Sequence, residues 1–464
     1  RETVAGEPEL GFRQSNASSV ASHLARRPTV GRSLPHHIMS SQLPTPPPPD
    51  ADDPPCAPNS DAPPSPPQLQ VSLPDDILEE ILLRLSTAAD LARASTSCTS
   101  FRHVVAPRSF ARRYRSLHKA PVLGFLRADF YAAQSPHPSA PVANALAQAA
   151  DFAFSFLPNP ACWSPRDVRD GRVLFSAVSV SEGRGDFIDA TSNTFVDLVV
   201  CDPLSRRCIQ IPPVPEDLAD SVQHCGMLDF EPFFAPASDD VRADESSFKV
   251  ICKVLCENKV AVFIFSSHTG KWVSIQHHGL GALSNEVVDA LYARCGLHRR
   301  HYAHGCFCWV LEWMDKLLML DTREMKFTII DLPPNSHGGR LAIVEAGEGM
   351  IGLLNIGMRT LDFYCKVWRN KSKGTKEWQH STINHPLPNY HWCIIGADEE
   401  YLLLRGISLD WPWFGSSSQQ RPDIEYFALE LKTLLLERMY VSKNKMMHAH
   451  LYRGFPPLLS PPSI

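Results

Sequence analysis

His298, His301, His304, Cys306 and Cys308 are the residues of this chain whose types and spacing could do chemistry, a run of soft donors around one short stretch. Zinc asks for four such ligands converging in a tetrahedron, commonly from paired ligands two to four positions apart. Cys306 and Cys308 flank Phe307, so on a strand both thiols share one face and pack as small apolar groups beside Trp309, Val310 and Leu311. No second cysteine pair with zinc spacing follows, and the cluster reads as strand core without a metal. Cys252 and Cys256 read the same way. No Gly-rich phosphate loop, nucleophile elbow or zinc-protease motif occurs. Glu399 and Glu400 fall in a turn. Nothing positive argues for an enzyme, and no cofactor is expected.

The elements that carry these residues belong to a chain of 464 residues, which is long for one compact domain and implies two parts plus tails. A net charge of −5, with acids and bases nearly balanced, gives no global basic surplus for nucleic acid. Thirteen cysteines without the dense spacing of a small secreted scaffold read as reduced intracellular thiols. No apolar run approaches the roughly 18 residues that span a bilayer, so no membrane is expected and the chain is placed in cytosol, nucleus or both.

Residues 1–70 read as a disordered leader. Up to Ile38 the sequence is polar and patternless and begins with arginine, so translation is expected to start at Met39, the alternative being a genuine disordered extension. From Ser40 to Gln70 proline dominates, as in Pro46-Pro47-Pro48-Pro49, which favours solvated polyproline II and a spacer role.

From Leu73 the texture changes. Ile77, Leu78, Ile81, Leu82 and Leu85 recur at helical spacing on one stripe, Pro74 suits the first turn, Ser72 with Asp75 has capping-box spacing, and Glu80 is placed to meet Arg84. A second short helix is expected from Thr87 to Ala94 and a third from Cys98 to a stop at Pro107. Three short helices cannot bury these apolar faces among themselves, so a partner is implied. Beyond them Arg108, Arg112, Arg113, Arg115, His118 and Lys119 form a basic patch, read as a solvated face or a contact to an acidic partner.

The Leu73-Pro74-Asp75-Asp76-Ile77-Leu78-Glu79-Glu80-Ile81-Leu82 opening, the Asp90-Leu91-Ala92-Arg93-Ala94-Ser95 helix, and Cys98 followed by Phe101 resemble the F-box over residues 71–114. That module docks onto the Skp-family adaptor of SCF-type ubiquitin ligases. By resemblance Leu73, Pro74, Ile77, Leu78, Ile81, Leu82, Leu91 and Phe101 would face the adaptor. Two departures stand out: the family usually has a proline near Ser86 and a tryptophan at Phe101.

Residues 115–464 alternate short β-rich runs with turns, the all-β pattern. Val196-Asp197-Leu198-Val199-Val200-Cys201-Asp202, a polar turn, Cys208-Ile209-Gln210-Ile211 and Pro212-Pro213 form one hairpin. It recurs as 316–321, a turn, 327–332 and Pro333-Pro334, an internal repeat. Groups of three or four strands every fifty or sixty residues or so predict a β-propeller of about six blades, with a β-sandwich or barrel as the alternative. The 167–174 segment with its Asp170-Gly171 turn, the segment ending at Arg207, and His304-Gly305 resemble the propeller-like domain found behind F-boxes in plants, grasses above all.

The resemblance implies a multidomain α plus β protein that recruits substrates to an SCF-type ligase. It would bind a Skp-family adaptor and, through it, cullin and a RING protein, while the β part holds an unidentified target protein. The alternatives are an F-box binding module outside the ligase, and a propeller-type ligand-binding protein or enzyme. Tyr302, Trp309, Trp313, Trp411 and Trp413 line a recognition surface or fill the core.

Overall fold

The computed structural model describes residues 73–178, 195–223, 227–236, 246–256, 260–277, 298–311, 315–333, 340–347, 349–367, 377–384, 387–410, 422–456, 459–460 and 464. The proline-rich leader with Met39, and Ser72, Trp313, Trp411 and Trp413, lie outside the described residues.

The apolar stripe from Ile77 forms helix α1 (Asp75–Leu83), and Pro74 is its N-cap, with extended backbone and no side-chain cap. Helix α2 (Ala88–Ser97) starts behind Thr87, whose hydroxyl oxygen accepts the Asp90 N–H at 3.1 Å, and runs past the expected end at Ala94. Helix α3 (Thr99–Val105) stops before Pro107 as expected. The basic stretch that follows is a fourth helix, α4 (Arg108–Leu117), because Phe110, Ala111 and Tyr114 give it a buried stripe.

The β part begins with β1 (Val122–Leu126), β2 (Phe130–Ala132) and helix α5 (Ala140–Ala149). Four-stranded antiparallel sheets follow. Blade 2 is β3 (Trp163–Arg169), β4 (Arg172–Ala177), β5 (Leu198–Asp202) and β6 (Arg207–Ile211). After α6 (Glu216–Gln223), blade 3 is β7 (Met227–Phe234), β8 (Lys249–Cys256), β9 (Val260–Ser266) and β10 (Lys271–His277). Blade 4 is β11 (His298–Ala303), β12 (Cys306–Leu311), β13 (Lys316–Asp321) and β14 (Lys326–Asp331). Blade 5 is β15 (Leu341–Glu345), β16 (Met350–Ile356), β17 (Thr360–Val367) and β18 (Gln379–Asn384). Blade 6 is β19 (Tyr390–Ala397), β20 (Tyr401–Ser408), β21 (Ile424–Glu430) and β22 (Leu436–Ser442). The last strand, β23 (His450–Arg453), returns to pair with β1 and completes blade 1 in the order β2, β1, β23.

This is a six-bladed β-propeller, and the sandwich and barrel alternatives fall away. The innermost strands β23, β3, β7, β11, β15 and β19 surround the axis, and each adjoining pair of blades shares an apolar cluster. Leu123 and Leu126 meet Val173 and Phe175 between blades 1 and 2. Phe233 and Ile251 meet Phe307 and Trp309 between blades 3 and 4, and Tyr426 and Met439 meet Phe125 and Leu451 where the ring closes. Closing the ring with both chain ends protects the edges of the first sheet.

The repeat seen in sequence is a repeat in space. Asp170-Gly171 and His304-Gly305 are two-residue turns with positive φ at both residues, 53° and 77° in the first, 50° and 74° in the second. Such turns join the first two strands of blades 2 and 4 with the twist a hairpin needs. At the outer hairpins Asp202 accepts the Leu204 and Ser205 N–H groups, and Asp321 those of Arg323 and Glu324. In both cases a tryptophan of the next blade closes the unit, Trp272 Nε1 donating to Pro212 O at 2.8 Å and Trp378 Nε1 to Asp331 O at 3.1 Å.

Of the candidate metal donors, His301, Cys306 and Cys308 are buried, and His304 is half-buried with Nε2 at 2.7 Å from Met350 O. Cys306 and Cys308 lie buried against blade 5, and Phe307 and Trp309 point the other way, against blade 3. Cys252 and Cys256 share the cluster between blades 2 and 3. Trp309 is fully buried, so of its two readings core packing holds. Among the described residues no group of His, Cys, Asp and Glu is arranged to hold a metal ion.

Charge is also buried between blades 3 and 4. Lys253 has no exposed surface, lies 2.7 Å from Glu231 and 3.1 Å from Asp229, and sits over the Trp309 ring. Glu231 also accepts from Arg300 and from Trp309 Nε1, at 2.9 and 2.8 Å. Burial pushes the Glu231 carboxyl up, but Lys253, Arg300 and these hydrogen bonds outweigh it and hold the group below its ordinary range. Glu231→Gln removes the carboxylate that Lys253 and Arg300 share, leaving Lys253 with Asp229 at 3.1 Å and Arg300 with Asp167 at 2.9 Å, and we expect it to cost about 1.5–3 kcal/mol of stability in urea unfolding. A loss under about 1 kcal/mol would contradict the arrangement.

His301 is buried too, with no hydrogen-bond partner for Nδ1 among the described residues. Burial, then the charges of Arg299 and Arg300, push its pKa from 6.5 down to about 3. A folded pKa below the unfolded one means the contribution is whole above about pH 6.5 and is lost as pH falls toward 3. Between those limits stability should drop by about 1.4 kcal/mol per pH unit from this group, and His301→Gln should flatten that slope. An unchanged slope in the variant would contradict the assignment.

Candidate functional site

The apolar stripe of α1 divides in space. Leu78, Leu82 and Leu83 turn inward and join Leu91 of α2, Val104 and Val105 of α3, and Phe110 and Tyr114 of α4 in one small core. Leu73, Ile77 and Ile81 turn outward and are 47 %, 49 % and 49 % exposed. Leu73 just ahead of α1 and Ile77 and Ile81 on it, each about half exposed, form an unpartnered apolar strip. Pro74 is exposed beside it, and Phe101 is half-buried against the core. Of the eight residues that the F-box resemblance singles out, four lie on the surface, three are sealed inside and Phe101 is between. Leu78, Leu82 and Leu91 therefore shape and hold the strip.

Helix α4 braces α1. Arg113 reaches Glu79 and Glu80, each at 2.6 Å, so Glu80 pairs across helices and not with Arg84 as its spacing predicts. The pairs are half exposed and worth little each. Tyr114 is buried and donates to Leu85 O at 3.0 Å; burial, with Asp90 adding to it, pushes its pKa to about 12, so it stays a neutral donor. His118 Nε2 meets Leu83 O at 2.6 Å and stacks on Tyr114. The last turn of α1 is thereby held from below.

What sequence reasoning missed is how this helical unit is fixed to the propeller. Beyond β23 the chain passes under the helices, and Phe455 and Leu459 complete their core. Arg115 donates to Leu459 O at 2.8 Å and Ser460 O at 3.3 Å. Arg453 donates to Ala120 O at 3.2 Å and pairs with Asp398 and Glu400, while Lys119 pairs with Glu430 at 2.8 Å and Glu400 at 3.5 Å. Most of the basic patch is thus committed to internal partners. The one hint in the sequence was the apolar run around Phe455 and Leu459, which names no partner.

These contacts also place the helices on one face. Each innermost strand starts on the side of the inter-blade connections and ends at its own first turn, and the 398–400 turn and Arg453 both lie on the helix side. The helices that carry the strip and the inter-blade connections therefore lie on opposite faces of the propeller. Among the described residues no helix is long and apolar enough to cross a membrane.

Residues 71–116 match the F-box-like family model, the stretch that contains the strip, its core and the α4 brace. No curated protein matches the chain. Among solved structures it is similar to a post-proline cleaving enzyme from Rickettsia typhi, at 9% identity and a TM-score of 0.28, over 61% of this chain and 37% of that one. It is also similar to an oligogalacturonate lyase in complex with manganese, at 10% identity and 0.29, over 60% and 64%. A nidogen/laminin complex gives 10% identity and 0.30, over 64% and 87%. The chain thus spans less than two thirds of the first two, and likeness at this level says nothing about activity or partners.

Proposed function

We propose that this chain, an F-box-like helical unit on a six-bladed propeller, recruits target proteins to an SCF-type ubiquitin ligase. The Leu73, Ile77 and Ile81 strip with Pro74 would seat a Skp-family adaptor, which would bring cullin and a RING protein, and the propeller would hold the target. The observation that carries this reading is the exposed aliphatic strip, which lies inside the stretch matching the F-box-like family. In this scheme the chain is not itself an enzyme. Bond formation belongs to the ligase, and this chain raises the local concentration of target. The reading places the protein where such ligases work, in cytosol, nucleus or both.

The test is co-expression of the full chain with a Skp-family adaptor and then with the cullin. A stable adaptor complex that captures cullin supports the role. An adaptor complex that excludes cullin would point to a binding module outside the ligase, and no adaptor complex at all would reject the proposal.

A further inference from the structure

The propeller face opposite the helices carries a cluster that none of the contacts above uses. The connections 357–359, 387–389, 409–410 and 443–449 of blades 5 and 6 open onto that face, since the innermost strand of each sheet starts there. On them Met358, Leu387, Leu409 and Met447 are 46 %, 37 %, 40 % and 56 % exposed. Single exposed apolar side chains are ordinary, but a set gathered on one face of adjoining blades marks an interaction surface.

Hydrogen bonds tie these connections together. Leu409 N–H donates to Asn389 O at 2.8 Å, and Ile356 N–H donates to Arg340 O at 3.0 Å, which sets the Met358 turn beside Arg340. Arg340 Nη2 lies 3.1 Å from His391 Nε2, bridging the two blades. Arg405 donates to Met446 O at 2.7 Å and reaches Met447 Sδ at 3.1 Å. The charge here is cationic. Arg340, Arg405 and Lys445 all act on His391, and Arg359 and Lys445 are exposed. Among the described residues the acid on these connections is Asp410, and Asp423, just before β21, is held by Lys443 at 2.6 Å.

We propose that this face of blades 5 and 6 docks the target through an acidic polypeptide segment with large apolar side chains interleaved. The inference rests on the recruiting role proposed above and names its surface and its chemistry. Carboxylates of the segment meet Arg340, Arg359 and Lys445, and its apolar side chains settle among the two methionines and two leucines, which re-pack readily. Nucleic acid, the other common polyanion, is gripped by stacking on aromatic platforms, and among the described residues the exposed large apolar groups here are aliphatic or thioether.

The test selects a random dodecapeptide display library on the full chain, with an Arg359→Glu, Lys445→Glu double variant beside it. Adaptor binding is measured on the same preparations. Recovered peptides should be enriched in Asp and Glu together with Leu, Ile or Phe, should weaken with salt, and should lose about tenfold or more in affinity for the double variant. Adaptor binding should be equal in both proteins. Recovery of no peptide above background, of peptides without acidic enrichment, or of acidic peptides indifferent to the double variant would overturn the proposal. So would tighter binding of a single-stranded oligonucleotide at the same face. Acidic peptides behaving as expected on a chain that binds no adaptor would remove the ligase role and leave the docking surface standing; the reverse pattern would remove the surface alone.

Discussion

Ile81→Lys should weaken binding to a Skp-family adaptor by about a hundredfold or more while leaving the propeller's unfolding temperature unchanged. Ile81 is half exposed in the free chain, and lysine is a good helix former, so the substitution costs the folded protein little. In the complex the same position would lie in an apolar seam. Desolvating an unpaired ammonium there costs several kcal/mol, of which about 2.7 suffices for a hundredfold. Leu73, Ile77 and Ile81, already half buried, would each gain about half of the roughly 1.5–3 kcal/mol that full burial of such a side chain provides, a gross term of about 2–5 kcal/mol before association entropy is subtracted. One charge can therefore remove most of the net affinity. Leu82→Ala is the contrasting case. Leu82 is buried in the helical core, so its truncation destabilises the unit by about 2–5 kcal/mol and weakens binding through folding. Titration by calorimetry, with far-UV melts of both variants, separates the two effects. Wild-type affinity in Ile81→Lys would show that the strip is not the seat.

Leu459→Asp should release the helices from the propeller. Leu459 is about 1 % exposed and sits in a core made otherwise of side chains from the four helices together with Leu85, Ala120 and Phe455. A carboxylate there either stays charged without a partner or drags the C-terminal segment out, and with it the Arg115 contacts to the carbonyls of residues 459 and 460. Truncation alone, as Leu459→Ala, is expected to cost about 2–5 kcal/mol, and the charge more. The wild-type chain should melt as one cooperative unit. In Leu459→Asp the helical signal should be lost at lower temperature than the propeller's, giving two transitions in calorimetry. A single transition at the wild-type temperature would show that the clasp does not couple the parts. The clasp also fixes where the α1 strip points relative to the propeller, so on the proposed reading the variant should bind adaptor more weakly.

How much of this was legible in the sequence depends on how local the determinants are. Helix α1 was readable because Pro74, the acidic first turn and the Ile77–Leu85 periodicity all speak within a dozen or so residues of one another. Which half of its stripe faces out was not, since that depends on where α3, α4 and Phe455 pack. Helix α4 was hidden because its basic residues outnumber the Phe110 and Tyr114 stripe that buries it. The hairpins of blades 2 to 6 were largely visible, being adjacent strands with Asp or Gly turns at fixed offsets. Strands β3 and β7 were harder because each contains a proline, Pro165 and Pro232. Both are innermost strands, paired on one side only, where a missing N–H is tolerated. Blade 1 was invisible for a different reason: β1 and β2 are short, and their partner β23 lies at the far end of the chain. No local pattern states a pairing of that range. The six blades followed from spacing and the ring closure from the structure.

Amide hydrogen exchange on the full chain, with and without a Skp-family adaptor, would locate the adaptor's seat. New protection should concentrate from Leu73 through α1 to Leu83, with the propeller blades unchanged. Protection centred on the propeller, or none along α1 at saturating adaptor, would contradict that seat.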